Sequence, residues 1–147
     1  MSLQKQVMEQ IKTAMKAKDK VALESLRALK SEFLISNTSG GGELSDADEI
    51  KIVQKLIKQR KDSATLFAEQ GRNDLADPEI AQAKILEQFL PQQLSEEELK
   101  DAIGKIVAQT GASSMKDMGK VMGLASQQLG GKADGKAISM VVKGLLG

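Results

Sequence analysis

Two stretches of this sequence carry residues whose types and spacing could do chemistry. The first is the run KQRKDS at residues 58–63, the densest basic stretch of the chain. Arg60 lies at the side of an apolar helical stripe, where a partly buried guanidinium needs a carboxylate such as Asp74 or Glu79. We therefore interpret Arg60 as half of a structural ion pair, with a binding role as the alternative. The same two interpretations stay open for Arg72, which has no evident local partner.

The second stretch combines lysines with glycines near the C-terminus. Gly119 and Gly123 share one helical face, although a helical glycine costs about 1 kcal/mol relative to alanine, so another backbone could approach closely there. The loop GGKADGK then leads into a helix whose free backbone N–H groups could hold a phosphate. The alternative is that the glycines only allow tight packing of a small three-helix unit. The candidate nucleic-acid-binding residues are Lys116, Gly119, Lys120, Gly130, Gly131, Lys132 and Lys136.

Missing residue types exclude most catalytic centres. The chain has no Cys and no His, so it has no Ser–His–Asp or Cys–His arrangement, no thiolate metal site and no disulfide. It has no Trp or Tyr, which disfavours a single-strand binder that stacks bases on aromatic platforms. We expect no catalytic residue, no metal and no cofactor, and we favour a non-enzymatic protein.

The elements that must position these residues are helices. Apolar residues recur every three or four positions nearly everywhere, which predicts an all-α fold. Asp77-Pro78 is typical of a helix start, Pro91 of a helix end, and Ser95 of a capping box that opens a new helix. We predict an N-terminal domain of about four helices, residues 1–93, and a three-helix C-terminal domain, residues 94–147.

The formal net charge of +1 is distributed unevenly. Residues 1–93 hold 14 basic and 14 acidic side chains, whereas residues 102–147 hold six Lys against two Asp. No apolar run approaches the roughly 18 residues of a membrane span, and the N-terminus lacks the apolar core of a signal peptide. We therefore expect a cytoplasmic protein without a membrane partner; the sequence leaves its oligomeric state open.

Five motifs follow one another in a fixed order between residues 58 and 146. They are KQRKDS at 58–63, GRNDL at 71–75, ILEQFLPQQLSEEEL at 85–99, GASSMKDMGKVMG at 111–123 and GGKADGKAISMVVKGLL at 130–146. Together they resemble the YqeY family of small bacterial proteins. The resemblance implies an all-α fold whose C-terminal part is similar to the tail domain of the amidotransferase B subunit, which contacts tRNA.

The resemblance also singles out individual residues and two departures. Phe89 stands where the family usually has Tyr. Gln82 stands where an acidic residue is usual, so this position does not offer Arg60 or Arg72 a carboxylate. The residues carried over are Gly119, Lys120, Met122, Gly130, Lys132, Asp134 and Gly135 in the C-terminal part, and Arg60, Asp62, Ser63, Arg72, Asp74, Leu90 and Pro91 in the N-terminal part.

Three functions are compatible with this pattern. We favour a non-catalytic protein that binds tRNA, or assists tRNA amidation, through its basic glycine-rich C-terminal domain. The first alternative is a helical adaptor that binds an aminoacyl-tRNA synthetase or an amidotransferase subunit, because strong RNA binders are usually more basic. The second is a glutamine-dependent carbon–nitrogen ligase, which the family resemblance alone implies and for which no residue of the chain supplies the chemistry.

Overall fold

Seven α-helices connected by short loops make up the part of the chain that the computed structural model describes, residues 2–39 and 43–147. The all-α prediction is confirmed, and no helix within these ranges is long and apolar enough to cross a membrane. The run SNTSGGG at residues 36–42 predicts a loop after the second helix, and its three glycines lie outside the described residues. The helices are α1 Leu3–Ala17, α2 Lys20–Ser39, α3 Asp46–Glu69, α4 Asn73–Glu87, α5 Glu96–Thr110, α6 Met118–Leu129 and α7 Gly135–Leu146, with a 3₁₀ turn at Met115–Asp117.

The chain divides into two compact units, residues 1–90 and 91–147. The division falls three residues before the boundary that the capping box at Ser95 predicts. Pro91 explains the difference, because α4 already ends at Glu87 and the segment from Pro91 to Leu94 packs with the second unit.

The first unit is a helical bundle in which α3 and α4 form a hairpin and α2 contacts each of the other three helices. Local signals set its helix ends. The Ser45 hydroxyl accepts the Asp48 N–H and the Asp48 carboxylate accepts the Ser45 N–H, a complete capping box. Gly71, with φ +74°, takes the left-handed turn of the hairpin, which an L side chain would strain. The apolar core includes Val7, Leu26, Leu29, Phe33, Val53, Leu56 and Leu86.

The predicted start of the fourth helix at Pro78 is wrong. The helix α4 begins five residues earlier, at Asn73, so Pro78 lies inside it. Proline removes one backbone donor and crowds the carbonyl four residues back, that of Asp74. The longer helix is favoured because its first turns bury Ala76, which is 2% exposed.

The second unit packs α5, α6 and α7 against one another around a separate core. Ser95 and Glu98 form the predicted capping box, and this hydrogen bonding lowers the pKa of Glu98. Gly111, with φ +68°, ends α5. The core consists mainly of Leu99, Ile103, Ile106, Val121, Ala125, Ile138 and Val142.

Candidate functional site

Exposed lysines without acidic partners characterise the second unit. In the described part of this unit, the one salt bridge joins Lys100 and Glu96 within the first turn of α5. The lysines beyond it are all exposed, and none has a carboxylate oxygen of the described residues within 4.0 Å. They are Lys105, Lys116, Lys120, Lys132, Lys136 and Lys143.

The two aspartates that follow residue 102 accept hydrogen bonds from backbone N–H groups. Asp117 accepts N–H groups from Ser113 and Ser114 at 3.0 and 3.4 Å, and so starts the 3₁₀ turn before α6. Asp134 caps α7 by accepting the Ala137 N–H at 2.7 Å. Both carboxylates complete helix starts, and neither lies within 4.0 Å of a lysine nitrogen in the described residues.

The solvent face of α6 carries basic side chains and glycines together. Gly119 and Gly123 are exposed, and a Cβ atom built on either meets no heavy atom within 4 Å. Packing inside this unit therefore does not require glycine at these positions. Lys120 follows Gly119 on the same exposed surface, and Lys116 precedes it by one turn. The arrangement leaves bare backbone beside two positive charges.

The loop between α6 and α7 is held firmly. A Cβ atom on Gly130 would lie 2.7 Å from the carbonyl oxygen of Ser126, and Gly131 is buried with φ +83°. The backbone of Lys132 donates to Leu129 and accepts from Leu94, both at 2.9 Å, while its side chain stays exposed. The fold thus fixes the position from which the Lys132 side chain extends.

Gln93 also holds this loop, and it was missed by sequence reasoning. Its side-chain Nε2 donates to the carbonyl oxygen of Gly131 at 2.6 Å and to that of Pro91 at 2.8 Å. The position of Gln93 before a capping box gave no local signal, because its partner is 38 residues away.

The start of α7 differs from the predicted phosphate site with free backbone N–H groups. The Asp134 carboxylate already occupies one of these donors and places a negative charge where a phosphate would approach. Lys136, exposed in the first turn, remains available. The helix start therefore already carries a negative group, and the exposed cation beside it is the Lys136 ammonium.

Arg60 does not have the predicted carboxylate partner. Its Nε donates to Gln82 Oε1 at 3.0 Å and its Nη1 to the Leu56 carbonyl at 3.3 Å. Among residues 2–39 and 43–147, no carboxylate lies within ion-pair distance of it, neither Asp74 nor Glu79. The partner is Gln82 because α4 packs antiparallel to α3 and brings this residue level with Arg60.

Arg72 and Asp74 contact each other at the hairpin tip. The guanidinium makes two parallel hydrogen bonds, Nε to Oδ1 at 3.0 Å and Nη2 to Oδ2 at 2.9 Å. Arg72 lowers the pKa of Asp74 and Asp74 raises that of Arg72, but both side chains are more than half exposed. Such exposed pairs contribute little to stability. The same described ranges contain no cluster of three or more acidic side chains that could hold a metal ion.

A protein family and several known proteins are similar to this chain. The model of the Yqey-like protein family matches residues 4–146. An uncharacterized protein of Schizosaccharomyces pombe is 32% identical over 94 residues, which are 64% of this chain and 76% of that protein. A protein of Clavispora lusitaniae named altered inheritance of mitochondria protein 41, mitochondrial, is 32% identical over 95 residues, 63% of this chain and 55% of its own length.

A component of an amidotransferase is also similar. The E subunit of glutamyl-tRNA(Gln) amidotransferase from Thermococcus gammatolerans is 32% identical over 122 residues, which are 80% of this chain but 18% of that subunit. The predicted resemblance to an amidotransferase subunit is confirmed at this level. The chain thus spans about half of the Clavispora relative and less than a fifth of the archaeal subunit.

The predicted cytoplasmic location is wrong as judged by these relatives. The name borne by the Clavispora protein is shared by relatives in Pyrenophora tritici-repentis and Kluyveromyces lactis, and it describes them as mitochondrial. The apolar core of a signal peptide directs secretion, so its absence does not bear on a mitochondrial location. The family match itself covers both helical units and all five motifs, and this chain belongs to the Yqey-like protein family.

Proposed function

We propose that this protein is a non-catalytic tRNA-binding protein that assists tRNA amidation. The observation that carries the proposal is the set of six exposed lysines in the second unit, none paired with a carboxylate in the described residues. The similarity to a glutamyl-tRNA(Gln) amidotransferase subunit supports tRNA as the nucleic acid. The lysines contact phosphates, and the bare backbone of Gly119 and Gly123 lets the RNA approach closely.

Recognition of this kind reads the shape and backbone of folded RNA. The three aromatic residues of the chain, Phe33, Phe67 and Phe89, all belong to the first unit. Phe33 and Phe89 are 3% and 6% exposed, and Phe67 is half-exposed. The second unit therefore has no aromatic side chain that could stack on bases. Structured RNA is commonly held through phosphates and 2′-hydroxyl groups instead. Binding should therefore depend strongly on salt and little on sequence.

The test is a titration with bulk tRNA at two salt concentrations. A variant with Lys120→Glu, Lys132→Glu and Lys136→Glu should lose most of its affinity, and the slope of log K against log salt should become shallower by about 2 to 3. The matched control reverses three exposed lysines of the first unit, Lys5, Lys12 and Lys30, and thus has the same net charge. Equal losses in the two variants, or salt-independent binding, would contradict the proposal.

A specific observation also favours the adaptor alternative. Met140, 65% exposed, lies on α7 one turn from both Lys136 and Lys143, and Leu145 of the same helix is 47% exposed. Exposed apolar side chains next to charges are typical of protein contacts. Co-purification distinguishes the two functions: Met140→Ser should release a protein partner and leave tRNA binding intact, whereas the lysine reversals should do the opposite.

A further inference from the structure

A cleft open to solvent lies between α3 and α4 in the first unit, remote in sequence from the lysines of the second. Its volume is about 520 Å³. Polar and charged side chains line it, four of them from the run KQRKDS. The lining residues are Gln59, Arg60, Asp62, Ser63, Glu79 and Gln82.

Arg60 supplies an incompletely satisfied cation to this cleft. It is half-buried, and its two hydrogen bonds go to neutral groups, the Gln82 amide oxygen and the Leu56 carbonyl. Within the described residues its Nη2 makes no hydrogen bond, and no carboxylate oxygen lies within 4.0 Å of the guanidinium. A guanidinium with free N–H groups at a cleft suits a carboxylate ligand.

Asp62 and Glu79 supply the opposite charge. Neither carboxylate has a basic side chain within 4.0 Å or a hydrogen bond in the described part of the chain. The Ser63 hydroxyl is half-buried and also lacks a partner there, whereas Thr65, two residues on, donates to the Lys61 carbonyl at 3.0 Å. The cleft therefore keeps acceptors and one hydroxyl unused.

The hairpin separates the two kinds of charge. Arg60 is level with Gln82, as their 3.0 Å hydrogen bond shows. Because the helices are antiparallel, Glu79, one turn before Gln82, lies level with the turn of α3 that holds Ser63, one turn after Arg60. Gln82 Nε2 in addition donates to Glu24 of α2 at 3.0 Å, which fixes the end of the cleft where Arg60 lies. The Arg60 guanidinium thus lies at one end, with the Gln82 amide between it and the Glu24 carboxylate, and Glu79 lies toward the other end.

We propose that this cleft binds the head of a free α-amino acid. The carboxylate of the ligand pairs with Arg60, and its ammonium group pairs with Glu79 and Asp62, with Ser63 between them. A phosphate or another simple anion is disfavoured by the two carboxylates, and a simple cation is disfavoured by Arg60. A zwitterion carries both charges and can pair with both kinds of side chain at once.

The test is an NMR titration of the full chain with L-alanine, N-acetyl-L-alanine and L-alaninamide. The two derivatives each lack one of the charges. L-Alanine should shift the amide signals of Ser63, Glu79 and Gln82, with a dissociation constant on the order of 1 mM for so small a ligand. Each derivative should bind at least tenfold more weakly. No shift at 20-fold that concentration (~20 mM), or equal binding of a derivative, would overturn the proposal.

Variants locate the binding within the cleft. Arg60→Gln and Glu79→Gln should each weaken binding of L-alanine at least tenfold, while Arg27→Gln and Glu9→Gln, exposed positions on α2 and α1, serve as matched controls and should not. Asp62→Asn, at an exposed position, is a second test of the cleft that remains available if Arg60→Gln perturbs the α3–α4 hairpin. Unchanged affinity in both Glu79→Gln and Asp62→Asn would refute the assigned ammonium site.

Discussion

Replacing Gly119 and Gly123 by alanine should stabilise the second unit and weaken its binding to tRNA. Neither glycine has a positive φ, and a Cβ atom at either position meets no heavy atom within 4 Å. A glycine-to-alanine change inside a helix gains about 1 kcal/mol, largely by restricting the unfolded chain. Gly123 lies at the centre of α6 and should give about that value. Gly119 lies in the first turn and should give roughly half.

The predicted gain for the double variant is therefore about 1.5 kcal/mol in the free energy of unfolding. For a unit of this size, that corresponds to a rise of roughly 6–12 °C in Tm. The chain has no Trp or Tyr, so the assay is thermal unfolding followed by far-UV circular dichroism, with hydrogen exchange of the α6 amides to locate the effect. A lower Tm would refute the conclusion that these positions are sterically free.

The second half of the prediction concerns tRNA. Two methyl groups on the bare face of α6 should keep the RNA backbone away from Lys116 and Lys120, which we expect to weaken binding roughly tenfold, equivalent to about 1.4 kcal/mol. Gly104→Ala is the matched control, since this glycine of α5 also has open space around its Cβ position. The control should stabilise the protein and bind tRNA normally. Unchanged tRNA affinity in the double variant would show that the RNA does not lie on this face.

Three further variants test the structure. Glu49 is buried and one of its oxygens has no partner in the described residues, so burial raises its pKa although a hydrogen bond from Gln4 opposes this. The folded protein then binds this proton more tightly than the unfolded chain, and stability falls as pH rises from the ordinary value of 4.5 through the raised pKa. Urea unfolding of Glu49→Gln should show a gain of about 1 kcal/mol at pH 7 that disappears at acid pH; a pH-independent difference would refute this. Ser95→Ala should cost about 1 kcal/mol by calorimetry, because the capping box at α5 is lost, and an unchanged Tm would contradict that. Gln93→Leu should lower the free energy of unfolding by about 1 kcal/mol and increase amide hydrogen exchange at the loop of Gly131. Unchanged exchange there would contradict the role given to the 2.6 Å hydrogen bond from Gln93 to Gly131.

Helix positions followed from local chemistry in this chain. The capping box at Ser95 lies where the sequence predicts it, and the capping box at Ser45 and the left-handed glycines Gly71 and Gly111 set helix ends in the same local way. Each is set by contacts among residues at most five apart, so no tertiary information is needed. Pro78 shows the limit, because the burial of Ala76 outweighs the local tendency of proline to start a helix.

Helix faces were predicted less accurately. Leu145 and Ile80 continue the apolar spacing of α7 and α4, which predicts that they are buried, yet they are 47% and 44% exposed, while Leu146 is 7% exposed. Adjacent apolar residues such as Leu145 and Leu146 differ by only about 100° around a helix. The neighbouring helix decides which of them is buried, and that choice depends on tertiary packing.

Side-chain partners across elements were the least predictable part of the candidate sites. Arg60 was expected to find a carboxylate, because burying a charge without compensation is unfavourable. It bonds instead to Gln82, 22 residues away, since only the register of the hairpin determines which side chain faces it. The same reasoning applies to Gln93, whose partner carbonyl belongs to Gly131. Residue types indicate what a side chain needs, and the packing of the helices determines what supplies it.

The near-zero net charge does not argue against RNA binding once the placement of the acidic groups is known. The segment from residue 102 onward has six Lys and two Asp, and the fold uses Asp117 and Asp134 to cap helix starts. Fourteen acidic residues within residues 1–93 balance basic residues of that same part of the chain. Attraction of a polyanion depends on local potential, which falls off within roughly 10 Å at ordinary salt, rather than on the sum over the chain. The unit of residues 91–147 itself holds seven Lys against six acidic residues, so the proposed attraction of RNA phosphates depends on where its lysines lie and not on the net charge of the unit.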